Sequence, residues 1–549
     1  MEDVYQATLS RHHRLNDLGF PIEVMWEHQW THLKADLPDI GAAVKSYDLK
    51  APLRPRDAFF GGRTNVVRLY VDPKEGQQLG YYDFTSLYPW VNKYGQYPIG
   101  HPTFIYHPEN NRDFTPYFGI AKCTVLPPAG LFHPVLPYRC GGKLVFPLCR
   151  SCAEYNIDQP LLNKPWICDH NESKRQLTGT WCTPELEKAL AKGYTLQCIH
   201  EVWHFERSQV GLFKDYVNTW LKIKEEASGF PSHCTTDAQR QCHVQDYLAN
   251  EGVALNFNSI ALNKGRRTVA KLMLNSMWGK FGQRLDKTHV EEFTDPLALE
   301  SFLASGRYSV RYVSPITEER VEVHYKVHDK MIEVSPNLNI FVACFTTCHA
   351  RLKLYEELER LDQRVVYFDT DSIIFLKGGD YEPSLGKYLG QFKDELKGDD
   401  IVEFCSGGPK NYGYRTNRYN PLLPANHENN RGTIETKVRG FTLNREGSRQ
   451  LNLDVMINNV KNEVLNPLDD GQVRTTRVYE NAKIVRNAKT YELFTLPRHK
   501  TYRLVANKRV FPPSDDPTEP DPFVTYPYGY HQVGDDPAYY VLRDLIEDS

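Results

Sequence analysis

The 549-residue chain contains no run of 18 or more apolar residues, and charged and polar residues follow Met1, so it offers neither a membrane span nor a secretory signal. These absences lead to the expectation of a soluble, intracellular protein with no membrane partner. Nor is there an excess of either charge: 66 Lys and Arg against 69 Asp and Glu leave a formal net charge of −3, so any anion-binding surface must be local. No internal repeat is present. The 12 cysteines are scattered through the chain without a disulfide-like framework, which points to free or metal-bound thiols. The length is too great for one core, and three or four lobes are expected.

What is abundant is aromatic: 33 Tyr among 12% aromatic residues supply surfaces on which bases stack. The most informative stretch, residues 365–376, reads VVYFDTDSIIFL. Two apolar runs of β-forming residues flank Asp369 and Asp371, the composition of a buried β-hairpin that carries acid into a core. Period-two alternation predicts that these carboxylates point the same way and Thr370 the other. Like charges held so close are costly unless a cation joins them. Residues 81–89, YYDFTSLYP, supply a third carboxylate, Asp83, after another apolar stretch. An all-oxygen site of this kind suits Mg²⁺ or Mn²⁺, and such ions in pairs serve phosphoryl transfer.

A cationic ridge is predicted over residues 264–282, where Lys264, Arg267, Lys271, Asn275 and Trp278 recur at helical spacing and suit a triphosphate. From Gly252 to Leu285 there are six Lys or Arg and no acid, and residues 483–509 hold eight against Glu492 alone. By contrast, residues 514–549 carry nine Asp or Glu against Arg543 and read as an acidic, partly disordered tail. Cys149 and Cys152, followed by Cys168 and His170, have the spacing of a candidate tetrahedral zinc knuckle, structural because four protein ligands leave no open position.

These segments resemble, in order, the signature motifs of family B DNA polymerases. Residues 83–89 match DxxSLYP, 271–279 resemble KxxxNSxYG with Trp278 at the usual Tyr position, and 367–372 match YxDTDS. Lys410 and Tyr412 match the KxY primer grip, Lys437 and Arg439 a basic element near the thumb, and Phe59-Phe60-Gly61-Gly62 the YxGG motif, with Phe59 at the Tyr position. Within the family the text is most similar to the protein-primed branch, notably polymerases of Polinton or Maverick elements and related viruses, through RDAFFGGRTN, CRSCAEYN, LTGTW, EVWHF and SGGPKNYGYR.

The resemblance implies a mixed α+β, right-hand architecture of palm, fingers and thumb with insertions of the protein-primed type. The expected divisions are an upstream remnant at 1–54, palm at 55–125 and 336–405, an insertion serving a terminal protein at 126–230, fingers at 231–285, a second insertion at 286–335, primer grip and thumb at 406–510, and the acidic tail at 511–549. An insertion is expected because Asp83 and Lys271 are 188 positions apart. Other expectations are a strand at 22–26, a first palm strand at 66–71, a helix at 208–227, an antiparallel hairpin within 290–335, and a helix at 340–361.

The resemblance further implies template-directed addition of deoxynucleotides, with Asp83 and Asp371 ligating two Mg²⁺ or Mn²⁺, Asp369 supporting them and Lys271 neutralising triphosphate. Ser86, Leu87, Tyr88, Lys264, Arg267 and Asn275 are expected at the nucleotide, Tyr88 beneath its sugar. Gly61, Gly62, Lys410, Tyr412, Lys437 and Arg439 are expected at DNA. Partners are then a DNA template and primer, dNTPs and a terminal-protein primer, in a nucleus or viral replication compartment. No DxE signature of a proofreading exonuclease precedes Gly80, so none is expected in this chain. The competing readings are a catalytically silent remnant that binds DNA or terminal protein, and an RNA-templated polymerase.

Overall fold

The computed structural model describes residues 2–20, 22–37, 51–72, 77–106, 108, 110, 112–158, 168–317, 320–328, 331–332, 337–419, 432–466, 474–486, 491–505, 507–511 and 522–531. Helix and sheet are mixed, and the chain divides into two compact units, one of residues 1–52 with 279–339 and one of 53–278 with 340–549.

The first unit contains the helices Glu2–Asp17 and Glu27–Asp36 and an antiparallel sheet in which Arg320–Val327 lies between His289–Phe293 and Tyr308–Thr317. The alternation expected within 290–335 is the Tyr308–Thr317 and Arg320–Val327 hairpin. Phe302, from the helix Pro296–Ala304, stacks on Tyr308 with ring centres 4.3 Å apart and seals one face of the sheet. The strand expected at 22–26 does not form. That segment pairs with no described strand, and Trp26 instead caps the start of the Glu27–Asp36 helix. β-propensity without a neighbour to hydrogen-bond does not make a strand.

In the second unit the dominant sheet runs, strand by strand, Thr64–Val66, Val365–Asp369, Ser372–Leu376, Leu79–Phe84, Ile401–Gly408, Asn411–Thr416 and Ile434–Val438. Its centre is buried: Val365, Val366, Phe368, Ile373, Ile374 and Phe375 are inaccessible, which is why this hairpin reads as continuous apolar text. The strand expected at 66–71 is two short ones, Thr64–Val66 and Tyr70–Val71, on different neighbours. A second, four-stranded sheet takes Thr103–Tyr106, Thr195–His204, Gly119–Leu126 and Leu177–Cys182 in that order, so the chain expected at 55–125 as palm contributes strands to two sheets. Its apolar face packs towards Phe60 and Tyr355.

Buried ion pairs fix how these layers meet. Arg351, on the helix Ile340–Leu361, grips Glu185 with two hydrogen bonds of 2.8 and 2.9 Å and also donates to the carbonyls of Phe60 and Gly61. Lys93, at the end of the helix Leu87–Tyr94, reaches Glu251 at 3.0 Å, at the end of Asp237–Glu251. Removing one partner of either pair would leave a buried charge uncompensated. The helix expected at 208–227 starts later, at Lys214, because Arg207–Val210 pairs with Gln96–Ile99 as a strand. Asp237–Glu251 is a helix that periodicity did not announce, its start set by a Thr236–Gln239 capping box.

The acidic end is not wholly a tail. Residues 522–531 lie against the large sheet, with Tyr528 inaccessible and Leu69 donating to the Phe523 carbonyl. Its Phe, Val and Tyr residues find an apolar surface, and burial outweighs the charge of the text around them.

Candidate active site

Asp83 sits near the end of Leu79–Phe84 and pairs in register with Ser372, while Asp369 ends the strand on the far side of Ser372–Leu376. Thr370 and Asp371 form the two-residue turn between Asp369 and Ser372, and Thr370 takes a left-handed conformation with φ 61°. The strand alternation therefore ends at Asp369, and Asp371 lies in the turn, still close enough for Asp369 and Lys410 to act on it. Asp369 accepts hydrogen bonds from Lys410 at 2.8 and 2.9 Å and from the Thr64 hydroxyl at 2.7 Å. Asp371 and Asp83 form no ion pair among the described residues, and the amide of Phe84 donates to the Asp371 carbonyl at 2.7 Å.

Their electrostatics differ from those of ordinary carboxylates. Asp83 is pushed up to about 7, chiefly by burial and then by Asp371 and Glu395, while Lys393 and Lys271 pull the other way. Asp371 is pushed up to about 6 by burial and then by Asp369. Half-buried carboxylates, Asp83 raised by Asp371 and Asp371 by Asp369, form a hard-oxygen donor set that a divalent cation would relieve.

Of the two glycines expected at DNA, Gly62 lies against the hairpin turn, whereas a Cβ on Gly61 would meet nothing within 4 Å. A Cβ on Gly62 would lie 2.6 Å from the Thr370 hydroxyl, so glycine is needed where this loop crosses the turn. The adjacent Arg63 carbonyl accepts from the Thr370 amide at 2.8 Å. Arg63 itself is buried, its guanidinium 4.1 Å from the centre of the Phe146 ring and its pKa pushed down to about 10 by burial.

Nucleotide-site candidates separate into two groups. On the helix Lys264–Phe281, Lys264, Lys271 and Asn275 are exposed, while Arg267 donates to the Ser228 hydroxyl at 3.0 Å. Lys271 is near enough to act on Asp83 electrostatically. Ser86 has φ 54° and starts the helix Leu87–Tyr94, Leu87 is buried in the core, and the Tyr88 ring stacks on Trp278 with centres 4.5 Å apart. The Trp substitution at the family's Tyr position thus meets the SLYP tyrosine directly. Burial pushes the Tyr88 phenol up to about 12.

At the expected primer grip, Lys410 lies with φ 62° in the turn between Ile401–Gly408 and Asn411–Thr416, and Lys437 and Arg439 are exposed. Tyr412 is 6% exposed and its hydroxyl meets that of Tyr81 at 3.1 Å, so its ring supports the sheet. Two residues escaped sequence reasoning. Thr64 orients Asp369, and Lys508 reaches the Thr64 carbonyl at 3.4 Å, its pKa pushed down to about 8 by burial although Asp369 acts the other way. Lys508 belongs to the basic stretch 483–509, but spacing gave no means of choosing it.

The four zinc candidates converge. Cys149, Cys152, Cys168 and His170 place their ligand atoms within 4.8 Å of one another.

Residues 54–233, which include Gly61, Gly62 and Asp83, match the family described as DNA polymerase type B, organellar and viral. A probable DNA polymerase of Neurospora intermedia is 23% identical over 367 residues, covering 65% of this chain and 30% of that protein, so the chain spans less than a third of this relative's length. Among solved structures, phi29 DNA polymerase complexed with primer-template DNA and incoming nucleotides covers 86% of this chain and 66% of its own, with 15% identity and a TM-score of 0.49. The same polymerase with single-stranded DNA gives 16% identity, 85% and 65% coverage, and a TM-score of 0.48. No helix among the described residues is long and apolar enough to cross a membrane.

Proposed function

We propose that the chain is a DNA-directed DNA polymerase that extends a 3′ hydroxyl on a DNA template and releases pyrophosphate. The observation that carries this reading is that Asp83, in register with Ser372, is set beside the turn that carries Asp371, both carboxylates raised chiefly by burial, with Lys271 of the cationic helix acting on Asp83. Asp83 and Asp371 would hold two Mg²⁺ or Mn²⁺. Bound there, the ions supply activation of the attacking hydroxyl and stabilisation of the leaving oxygen.

The chain's own groups do the positioning. Lys271, with Lys264 and Asn275, faces the triphosphate and neutralises charge accumulating on the leaving group. Tyr88, held by Trp278, sits beneath the sugar and leaves no room for a 2′ hydroxyl. Lys410, fixed by Asp369, meets the primer strand, and Lys437 and Arg439 contact backbone phosphates without reading sequence. Asp369 is accordingly a positioning residue rather than a direct ligand.

The sequence likeness to Polinton-type polymerases extends this proposal to protein priming and the copying of a mobile element or viral genome. The chain between the catalytic motifs, with its four-stranded sheet and cysteine cluster, is the surface offered to a terminal protein. Extension of a labelled DNA primer with dNTPs and Mg²⁺, on DNA and on RNA templates, tests the central claim. Extension on DNA alone supports it, absence of extension by folded protein favours the silent remnant, and preference for RNA overturns the template assignment.

A further inference from the structure

We propose that Cys149, Cys152, Cys168 and His170 bind one Zn²⁺ in a closed structural site, which fastens the 522–531 segment to the sheet that carries Asp369. The inference is independent of the polymerase reading.

Distances support the metal. His170 Nδ1 lies 3.5 Å from Cys149 Sγ, 3.3 Å from Cys152 Sγ and 3.7 Å from Cys168 Sγ. A tetrahedral zinc with its usual bond lengths has a sulfur-to-nitrogen edge of ~3.5 Å. Three thiols and an imidazole meet at that spacing although the pair 149 and 152, at the start of one helix, is separated in sequence from the pair 168 and 170, and the thiols are buried and unbridged. The Cys152 amide donates to Cys149 Sγ at 3.4 Å, a contact that favours a thiolate. Soft sulfur with one imidazole selects zinc, and four protein ligands leave no position for catalysis.

Contacts around the cluster show what it fastens. The amides of Leu148 and Cys149 donate to the Tyr528 carbonyl at 2.7 and 3.1 Å. A Cβ on Gly529, where φ is 85°, would lie 2.3 Å from Cys149 Cβ, so the segment crosses the knuckle at backbone contact. The Tyr528 hydroxyl donates to the Asn507 carbonyl at 2.6 Å, and the Asn507 amide group donates to Ile157 at 2.8 Å. Farther along, the Thr525 amide donates to Val67 at 2.8 Å and its hydroxyl to Val66 at 3.1 Å. Val66 ends the strand whose Thr64 pairs with Asp369. A continuous path therefore runs from the knuckle through Tyr528 and Thr525 to the hairpin, with Lys508 beside Asn507.

The test is elemental analysis of the full chain purified under reducing conditions, with hydrogen exchange at the peptides containing Cys149 and Thr525. About one zinc per chain is expected, falling to roughly a tenth in Cys152→Ser and unchanged in Cys242→Ser, whose thiol is exposed elsewhere. Cys168→His keeps a ligand atom and should retain zinc, which guards against a Cys152→Ser protein that fails to fold. Chelation of the wild type should speed exchange at both peptides by about tenfold or more, and added zinc should reverse it. Folded protein lacking zinc, a disulfide among these cysteines, another metal in the cluster, or zinc that survives Cys152→Ser would each overturn the site. Zinc removal with exchange at Thr525 unchanged would overturn the fastening role.

Discussion

Two clusters proposed to bind cations lie in the same unit, and their chemistry is opposite. Around the hairpin, Asp83 and Asp371 are half-buried and form no ion pair among the described residues, Asp83 being raised by Asp371 and Asp371 by Asp369. At the knuckle, three thiols and an imidazole place their ligand atoms within 4.8 Å of one another. An open set of hard oxygens suits ions that must also hold a substrate; a closed set of soft ligands suits an ion that only holds the chain. The contrast also divides the hairpin internally, because Asp369 is already paired with Lys410.

The strongest way to break the comparison is to neutralise the carboxylates one at a time. Asp371→Asn and Asp83→Asn should each lower primer extension by about three orders of magnitude, the scale of a preorganised electrostatic group, with DNA binding nearly unchanged. Asp369→Asn should cost only about tenfold and should also raise the KM for primer DNA, because Lys410 loses the anion that fixes it. Equal losses in all three variants, measured by single-turnover extension and by DNA affinity, would erase the distinction between open ligand and positioning anchor.

How much of this was readable in sequence depends on whether the signal was local. The hairpin, the Lys264–Phe281 helix and the Ile340–Leu361 helix were legible because their apolar pattern and length are local properties. The four zinc candidates were legible from spacing. Thr64 and Lys508 were not, since each becomes relevant only when distant strands bring it to Asp369. Alternation misled at Thr370 because a left-handed turn residue breaks the strand period. The 522–531 segment was hidden by the acidic text around it, although its aromatic residues carried the signal for burial.

A smaller effect sharpens the comparison on the substrate side. Tyr88→Ala should raise the relative use of ribonucleotides by roughly ten- to a hundredfold, the discrimination expected from one well-packed group. Trp278→Ala should shift it in the same direction but less, because it removes the ring on which Tyr88 stacks and leaves Tyr88 itself. Competition assays with both nucleotide classes would measure this, and a Trp278 variant with a larger shift than Tyr88→Ala would place the sugar against the indole instead.

The smallest effect concerns stability and separates the two clusters by pH. Asp83 and Asp371 have folded pKa values near 7 and 6, above their ordinary value of 3.8. The folded chain therefore binds more protons than the unfolded chain between about pH 4 and 7, so these groups destabilise it as pH rises through that window. Without divalent ions, Tm should fall by a few degrees between pH 5.5 and 8 on their account, and Asp371→Asn should flatten that fall. Mg²⁺ should raise Tm more at pH 8 than at pH 5.5, since protons compete for the same oxygens. The zinc cluster follows Mg²⁺ in this respect, because thiolate ligands are lost to protons as pH falls; only the metal-free carboxylates lose stability as pH rises. Chelation specific for zinc should thus cost more stability at pH 8 than at pH 5.5, whereas Mg²⁺-free buffer should expose the carboxylate repulsion. Thermal melts at both pH values, with each metal withheld in turn, resolve the two contributions, and a Mg²⁺ effect independent of pH would mean that the raised carboxylates are not its binding site.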